Sequence, residues 1–376
     1  MKTRFILYLV LIATLSISCK NGNRSQDSLP CIDVSASYPE KEIRLEDLAD
    51  IEYLQLELDD DFLFRRPPAI ITSTKIIIGN DGDILIFSRD GKPLSKFNRK
   101  GNGQGYYSNI RELIYDEVSD EFFVRSNDKI VVYSVTGDFK REISLHEETY
   151  RNEIVNYDSG TLLLYDDHDV YPASFSFISK EDGSVIETIN MNKDKKIDVN
   201  LIQKVGTNIS ILTAPAYRMV RHNAGYLLTD YSLDTVYLFS HDKKLSPILV
   251  REPKIQTMDP IVYLNSFIEA GNYVFVSAIT LKNEDNRLPR MYLMCDKQTG
   301  SVYKQKIIFN DYKGKFVALS PETIANTQDS KTGLIILDLV ELQEANSANK
   351  IGGKLKELVE NADEEGNSIY MLLHFK

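Results

Sequence analysis

The sequence contains no tryptophan and only three cysteines among its 376 residues. Three cysteines form at most one disulfide bond, so the small disulfide-rich folds of secreted proteins are excluded. Basic residues are also in deficit, because 44 Lys and Arg stand against 55 Asp and Glu, a net charge of -11. This balance repels phosphate backbones and argues against general nucleic-acid binding. The chain does have 43% hydrophobic residues, with 21 Tyr and 16 Phe, which excludes wholesale disorder.

Motifs for catalysis and metal binding are missing as well. The chain has neither an HExxH zinc motif nor a GxSxG nucleophile elbow, and its five histidines do not have the spacing of paired zinc ligands. The acidic run Asp59–Asp61 lacks the spacing of a calcium loop, and Asp166–Asp169 cannot converge on one face of a strand. We interpret both runs as solvated turns. The sequence therefore predicts no catalytic residues, no metal site and no cofactor.

The only long apolar run lies at the N-terminus. Ile6–Leu15 is nearly all apolar and follows Lys2 and Arg4, the pattern of a secretory signal. The run is too short for a transmembrane helix, which needs about 20 apolar residues. The segment Leu-Ser-Ile-Ser-Cys that ends at Cys19 resembles a bacterial lipoprotein lipobox, of the relaxed kind found in Bacteroidetes. The resemblance implies cleavage after residue 18 and acylation of Cys19, with an ordinary signal peptide as the alternative.

Cleavage leaves a chain anchored by lipid in the cell envelope, with the outer membrane expected and its periplasmic or surface side left open. Loss of Lys2 and Arg4 removes two positive charges, so the net charge of -11 becomes -13. Residues 19–31 are polar and are predicted to be a flexible tether before a single domain over residues 32–376. An oxidising envelope permits a disulfide between Cys31 and Cys295, but we predict unpaired thiols, since one ends the tether and the other ends an apolar strand.

A pair of strands joined by a polar turn recurs along the chain. Two segments that start at Asp83 and Lys129 align without gaps at an offset of 46 residues. Three looser copies follow, and all five turns have a landmark residue: Gly91, Gly137, Gly183, Lys243 and Gly300. A glycine at such a position supplies the positive φ that tight hairpin turns demand. Three or four strands in every ~45 to 60 residues is typical of propeller blades, with a β-sandwich as the competing arrangement.

The two ends of the chain are predicted to complete the ring. Ile51–Leu58 and Ser368–Phe375 each place alternate apolar residues on one face. Pairing them in one blade hides both sheet edges, and Gly333–Leu339 is a further strand of that blade. Helix is expected only from Ser320 and over Lys354–Asn361. The predicted fold is an all-β, six-bladed β-propeller whose last blade is closed by strands from both termini, with minor helical decorations.

Five short motifs occur in a fixed order: Asp50–Glu57, Phe87–Lys92, Gly101–Tyr107, Asp234–Tyr237 and Asp296–Gly300. In this order they resemble the six-bladed β-propeller lipoproteins of Bacteroidetes, relatives of NHL-repeat propellers, and the resemblance extends over residues 32–376. It implies a propeller fold and an envelope location, but no settled biochemical activity. Gln104 and Tyr106 depart from the Pro and Glu of the family's glycine-rich loop, so any role of that Glu is lost here.

The glycine-rich loop Gly101–Tyr107 is one candidate site. A phosphate-binding loop follows a strand and opens a helix, whereas this loop runs between two hairpins. We interpret it as a tight connection between blades, whose glycines supply unusual backbone angles. The alternative is that Gln104, Tyr106 and Tyr107 line one mouth of the central channel and bind a ligand there.

Basic side chains are scarce enough to form a second candidate site. Arg65 and Arg66 precede the first blade, and Arg218, Arg221 and His222 lie at the entry to the fourth. Loops that lead into inner strands often line the channel of a propeller. If both groups converge there, they form a cationic site for a carboxylate, an acidic glycan or a peptide terminus. Scattered, solvated surface charge is the competing interpretation.

The sequence favours a binding or scaffolding module over an enzyme. A lipid-anchored propeller without a catalytic set is expected to hold a small molecule, a glycan, a peptide or another envelope protein at the channel mouth. The alternative rests on analogy of fold alone and is a metal-dependent propeller enzyme of the lactonase or lyase type. A sensor or a purely structural role is the third hypothesis.

Overall fold

The computed structural model describes residues 29–376 except 65–68, 128, 146–152, 166–173, 192–196, 198–199, 206–207, 214–218, 322–329 and 364–365. Within these ranges the chain is mostly β-strand, arranged in a series of sheets with few helices. No helix in this part of the chain is both long and apolar enough to cross a membrane. The signal peptide, Cys19 and most of the predicted tether lie outside the described residues.

The N-terminal segment comprises β1 (Cys31–Asp33), β2 (Glu40–Arg44), the short helix α1 (Leu45–Leu48) and β3 (Ala49–Gln55). The first two strands pair in parallel with the outer edges of two sheets, β1 with Val250–Glu252 and β2 with Lys304–Ile308. Such an added strand covers backbone donors and acceptors that a sheet edge otherwise exposes. Cys31, placed at the end of the tether by the sequence prediction, is already part of β1, so the folded domain begins before residue 32.

Three four-stranded antiparallel sheets follow, and in each one the neighbouring strands are consecutive in sequence, as in a propeller blade. The middle strands are mostly buried because both of their faces pack against other sheets, while the last strand of each blade is largely exposed or partly exposed. The first blade has β4 (Ala69–Ile71), β5 (Lys75–Asn80), β6 (Asp83–Ser88) and β7 (Pro93–Asn98); the second has β8 (Glu112–Asp116), β9 (Glu121–Arg125), β10 (Lys129–Ser134) and β11 (Phe139–Ser144); the third has β12 (Glu153–Asn156), β13 (Thr161–Tyr165), β14 (Phe175–Ser179) and β15 (Val185–Ile189).

Two larger sheets follow a separate hairpin. The fourth and fifth blades take up β1 and β2 on their outer edges, and a short extra strand also pairs with the fifth. The hairpin has β16 (Asn200–Val205) and β17 (Asn208–Thr213); the fourth blade has β18 (Met219–His222), β19 (Gly225–Leu228), β20 (Thr235–Ser240) and β21 (Leu245–Glu252); the fifth, after a 3-10 turn at Ile255–Thr257, has β22 (Val262–Ala270), β23 (Tyr273–Thr280), β24 (Arg290–Asp296) and β25 (Val302–Ile308), and the extra strand is β26 (Phe316–Val317).

The remaining sheet joins the two ends of the chain, and we call it the closing sheet. It consists of β27 (Thr332–Leu337), β28 (Ile369–Phe375) and β3, with β28 in the middle, so the terminal strands pair as the sequence predicts. The helices α2 (Leu339–Ser347) and α3 (Gly353–Glu360) lie between β27 and β28. The described residues thus form a propeller arrangement with five blades of four or more strands, not the six that the sequence predicts, together with this three-stranded sheet.

The turn landmarks of the sequence repeat all have the predicted backbone conformation. Gly91, Gly137, Gly183, Lys243 and Gly300 have φ values of 89°, 80°, 78°, 60° and 67°. The hydrogen bonds also repeat: the Ser88 amide donates to Lys92 at 2.8 Å, and the Ser134 amide donates to Asp138 at 2.9 Å. The sequence repeat is therefore a repeat of one turn geometry at the outer hairpin of each blade.

Gly137 also packs tightly against the preceding blade. A Cβ atom at this position would lie 2.5 Å from the Phe97 ring of β7. We therefore expect Gly137→Ala to lower the free energy of unfolding by about 1–3 kcal/mol, because the strained backbone adds to the displacement of the ring. Urea denaturation measures the change. Gly352→Ala is the matched control, since nothing lies within 4 Å of its Cβ position and its φ of -151° suits any residue. Equal losses in the two variants would contradict the packing argument.

Apolar clusters fill the spaces between successive sheets. One joins the first blade to the second through Ile77, Phe122 and Tyr133, and similar clusters join each later pair of blades. The closing sheet packs against the fifth blade through Met371 and against the first through Tyr370. Tyr and Phe are the largest fully buried side chains, so they supply the core of a chain that lacks tryptophan.

The helices differ in part from the sequence prediction. α3 agrees with the helix expected over Lys354–Asn361, whereas α2 is unexpected. The segment Gly333–Leu339 is a strand only to Leu337, because the Asp338 side chain accepts a hydrogen bond from the Glu341 amide at 3.0 Å and caps a helix that starts at Leu339. Of the helix expected from Ser320, residues 322–329 lie outside the described residues.

A buried ion pair connects the second and third blades. Lys180 Nζ lies 2.7 Å from Asp116 Oδ2, and the two side chains are 5% and 2% exposed. Burial favours the neutral acid, but hydrogen bonds from Lys180 and Ser119 outweigh it and lower the pKa of Asp116. The pair therefore holds two charges in a nearly solvent-free position between two sheets.

Candidate functional site

A cavity of about 170 Å³ lies where the first strands of four blades converge. These strands are the innermost of their sheets, so the cavity is part of the central channel. We call it the channel cavity. Its lining comes from β4, β8, β12, β18 and β19: Ile70, Leu113, Ile114, Tyr115, Ile154, Val155, Asn156, Met219, Arg221 and Tyr226.

The cavity is open to solvent, and apolar atoms form only slightly more of its surface than polar atoms do. Ile154 and Met219 are 4% and 1% exposed, and Ile70, Leu113 and Val155 pack partly buried beside them. The hydroxyl of Tyr115 is already hydrogen-bonded to Asp120 and to Lys75 Nζ. A concave site that combines aliphatic walls with a few placed polar groups is typical of small-molecule sites.

One end of the cavity is polar, and its charge comes from Arg221. Arg221 Nη2 donates to the backbone carbonyl of Asn156 at 3.0 Å, and its guanidinium lies 5.4 Å from the centre of the Tyr226 ring. The Tyr226 hydroxyl donates to the same carbonyl at 2.5 Å. Burial raises the pKa of Tyr226, so this hydroxyl stays protonated and neutral. These contacts hold the guanidinium in one place and leave most of its five N–H donors for another acceptor.

Two polar groups of this end are unmatched within the described residues. Asn156 Oδ1 is buried and accepts no hydrogen bond from any of them. No described carboxylate lies within ion-pair distance of Arg221, whose polar contact is the Asn156 carbonyl. Buried polar groups of native proteins are nearly always paired, so Asn156 Oδ1 marks this end as a candidate binding site, beside the spare N–H donors of the partly buried Arg221.

His222 lies next to Arg221 in β18 but belongs to a different cluster. Its Nδ1 accepts a hydrogen bond from the Ala224 amide at 3.1 Å, and its Nε2 is 3.8 Å from Glu269 Oε2. Lys297 Nζ is 3.5 Å from the same oxygen. The bond with His222, helped by Lys297, lowers the pKa of Glu269 against the effect of burial. Alternate residues of a strand point to opposite faces, so Arg221 faces the third blade and His222 the fifth.

Carboxylates at the other end of the inner strands serve to join blades. Glu112 pairs with the buried Arg125 at 2.9 Å and accepts a hydrogen bond from the Ile154 amide at 3.4 Å. Glu153 accepts one from the Met219 amide, also at 3.4 Å. Burial raises the pKa of Glu112 although Arg125 opposes the shift. These contacts tie the second blade to the third and the third to the fourth.

Of the basic residues that the sequence predicts to act together, the structure describes Arg221 and His222, which lie on opposite faces of β18. Arg221 lines the channel cavity and His222 lies beside it on the other face. Arg65, Arg66 and Arg218 lie outside the described residues. Arg221 is thus the described member of the predicted cationic site. That Arg65 and Arg66 converge with it in the channel stays a prediction.

The glycine-rich loop lies away from the channel cavity. The Gly105 amide donates to Glu142 of β11, and Lys129 Nζ donates to the Gly103 carbonyl at 3.0 Å, so the loop crosses the outer half of the second blade. Gln104 and Tyr106 are exposed there. Tyr107 is fully buried, and its hydroxyl donates to the Gly82 carbonyl at 2.6 Å. Tyr107 therefore packs in the core, whereas Gln104 and Tyr106 are exposed at the outer half of the second blade.

Sequence reasoning missed Asn156, Met219 and Tyr226. They lie in ordinary strands without a motif, and their one common signal is a position on the inner strands of the third and fourth blades. The acidic run Asp59–Asp61 is exposed and forms a turn in which the Asp61 amide donates to Asp59 at 2.8 Å. The run Asp166–Asp169 lies outside the described residues. In the ranges that the structure covers, no three His, Cys, Asp or Glu side chains are placed to hold a metal ion.

A larger recess of about 530 Å³ lies at the outer edge of the fifth blade, between β2 and the turn at Gly271–Tyr273. Its charged groups already have partners, because Arg44 lies 3.5 Å from Asp47 and Glu42 lies 3.2 Å from Lys306. The channel cavity, with its unmatched polar atoms, is therefore the stronger candidate site.

Comparison with known proteins supports this fold. A family model described as a domain of unknown function (DUF4934) matches residues 29–374. No curated protein matches the sequence. A solved structure from Bacteroides fragilis, described as an exported protein, has 16% identity and a TM-score of 0.63 over 93% of this chain and 100% of that chain. A DUF4221 family member from Bacteroides vulgatus has 10% identity and a TM-score of 0.48 over 88% and 97%.

The predicted propeller family of Bacteroidetes is supported by the family match and by the first of these structures, whose identity is low enough that the likeness concerns the fold alone. The lipoprotein and NHL-like parts of the sequence prediction stay predictions.

Proposed function

We propose that this chain, which belongs to the DUF4934 family, is an exported β-propeller that acts as a binding or scaffolding module of the cell envelope. Its location is supported by the signal-like N-terminus and by the Bacteroides fragilis structure, which is described as an exported protein. The lipobox-like segment supports a lipid anchor at Cys19 in the outer membrane. The ligand is a small molecule, a glycan or a peptide group held in the channel.

The observation that carries this proposal is the channel cavity and Arg221, the cation among its described lining residues. A guanidinium held by a carbonyl and an aromatic ring, beside aliphatic side chains in a concave site, is preorganised to bind a ligand. Inner strands of four blades contribute to the wall, so a bound ligand contacts several blades at once.

We also propose that the closing sheet acts as a sixth, three-stranded blade. Apolar clusters pack it against both the fifth and the first blade. Arg89 of the first blade lies 3.2 Å from Glu52 of β3, which also contacts His374 of β28 at 2.8 Å. Contacts on both sides support a ring that closes through this sheet and a channel cavity with a continuous wall.

The test is a ligand screen of the full-length protein in detergent against carboxylic acids, oligosaccharides and short peptides, read by ligand-observed NMR. We expect a subset to bind and to lose binding in Ile70→Trp, because the larger side chain fills the cavity from β4. Ile211→Trp is the matched control, since Ile211 is 62% exposed on the separate hairpin.

Binding that survives Ile70→Trp would place the ligand outside the channel and contradict the proposed site. No binding in the screen, together with an empty pull-down from envelope extracts, would contradict the function itself. Stoichiometric calcium or zinc in the purified protein would favour the metal-dependent enzyme instead.

A further inference from the structure

We propose that the channel cavity binds a small carboxylic acid with an apolar body and a hydroxyl or N–H donor beside its carboxylate. This inference rests on the proposed function and names the ligand class of the same site. It combines three features of the described cavity lining: the cation Arg221, the acceptor Asn156 Oδ1, and the size and chemistry of the wall.

The cation selects a carboxylate. Arg221 donates one N–H to the Asn156 carbonyl, and its guanidinium lies over the Tyr226 ring. The remaining N–H donors of the planar guanidinium can bind a carboxylate through two parallel hydrogen bonds. Among the described lining residues Arg221 supplies the one full charge, which balances a single negative charge on the ligand. A phosphate dianion would bring a second negative charge that no described lining residue balances, so a monoanion matches the charge of this site better.

The acceptor selects a donor next to that carboxylate. Asn156 supplies the carbonyl that holds Arg221, and its own side-chain Oδ1 is buried without a described partner. A ligand whose carboxylate meets the guanidinium therefore brings its adjacent atoms close to this amide. A hydroxyl or an N–H at that position donates to Oδ1 and removes the cost of leaving it unpaired.

The lining residues and the volume of the cavity determine the size and the apolar character of the rest of the ligand. Most of the lining residues are isoleucine, leucine, valine and methionine, so a second polar or charged end is disfavoured. A cavity of about 150 Å³ holds one benzene molecule, so the 170 Å³ seen here suits a ligand of about six to ten heavy atoms. A branched aliphatic or aromatic 2-hydroxy acid has this size and pattern.

The experiment uses three probes that differ in one group each: 2-hydroxy-4-methylpentanoate, 4-methylpentanoate and 2-hydroxy-4-methylpentanamide. Isothermal titration of the full-length protein measures their Kd. We expect the hydroxy acid to bind best, the acid without the hydroxyl about 3- to 10-fold more weakly, and the neutral amide about 10- to 100-fold more weakly.

The variant Arg221→Gln is expected to weaken the hydroxy acid by about 10- to 100-fold and to leave the amide nearly unchanged. Arg290→Gln, at an exposed position of the fifth blade, is the matched control and should change neither. The ligand series on the unaltered protein keeps the test valid even if Arg221→Gln fails to fold.

Equal binding of acid and amide would overturn the carboxylate assignment, and equal binding of the two acids would overturn the donor. If the probes do not bind but a glycan or peptide from the screen does, and Ile70→Trp blocks it, the ligand class is wrong while the proposed function stands. If nothing binds in the channel, both the ligand class and the proposed binding site are contradicted.

Discussion

A chain that ends at Asn367 is expected to lose cooperative folding altogether. The truncation removes β28, the middle strand of the closing sheet, whose five residues from Ile369 to Leu373 are all 0% exposed. Loss of one large buried side chain costs about 2–5 kcal/mol, so the loss of five costs about 10–25 kcal/mol, as much as or more than the total stability of about 5–15 kcal/mol of a typical domain. Circular dichroism during urea titration should show no cooperative transition.

Removal of Lys376 alone is the control for this truncation. That residue is exposed, and its side chain pairs with Asp50 at 3.2 Å. A surface ion pair contributes about 0–1 kcal/mol, so the shortened chain should unfold almost as the full-length protein does. A sharp transition in the chain that ends at Asn367 would show that the five larger blades are stable without the closing sheet.

The variant Lys180→Met is expected to lower the free energy of unfolding by about 3–5 kcal/mol, because it leaves the Asp116 carboxylate buried without its cation. Both side chains of the pair are almost inaccessible to solvent, so water cannot replace the lost partner. Urea denaturation at neutral pH measures the loss.

An exposed pair offers the matched control. Lys282 lies 2.8 Å from Glu284, nearly the same distance as in the buried pair, but its side chain is 58% exposed. We expect Lys282→Met to cost about 0–1 kcal/mol. Similar losses in the two variants would show that burial does not determine the strength of these pairs.

The buried pair also predicts a pH dependence. Because its pKa is lowered in the folded protein, Asp116 contributes stability above its unfolded pKa of about 3.9, and that contribution is lost as the pH falls through the folded pKa. In Lys180→Met the carboxyl has no cation to hold it ionised. The difference in free energy of unfolding between Lys180→Met and the unaltered protein should therefore become smaller from pH 7 to pH 3.

Local turn chemistry made most of the fold predictable. Gly91 and Gly137 mark turns because few other residues adopt positive φ readily, and the repeat of strand, turn and strand then gives the blades. The pairing of the terminal strands followed from their alternating apolar residues. The residues that carried these predictions are those whose conformation depends on near neighbours in the sequence.

Features that depend on distant contacts were not predictable. Nothing in Cys31–Asp33 or Glu40–Arg44 marks them as strands added to the fourth and fifth blades, because their partners lie more than two hundred residues away. The sequence leaves Tyr107 open between a tight connection and a ligand contact, and the burial of its ring in the core depends on residues distant in sequence. At the site, Arg221 stood out by its charge, but Asn156 did not, because its backbone carbonyl and the burial of its side-chain Oδ1 become visible only in the folded chain.

The pairing of β3 with β28 has a consequence for how the protein is made. Glu52 and His374 meet across 322 residues, so β3 stays without its partner until nearly the whole chain has been synthesised. At about 5–20 residues per second, synthesis of this stretch takes about 16–64 s. During that time the closing sheet cannot form, because its middle strand has not been made. A chain whose closing sheet forms last keeps β3 unpaired until synthesis is nearly complete, which is compatible with the export that we propose, since a secretion pore passes an unfolded chain.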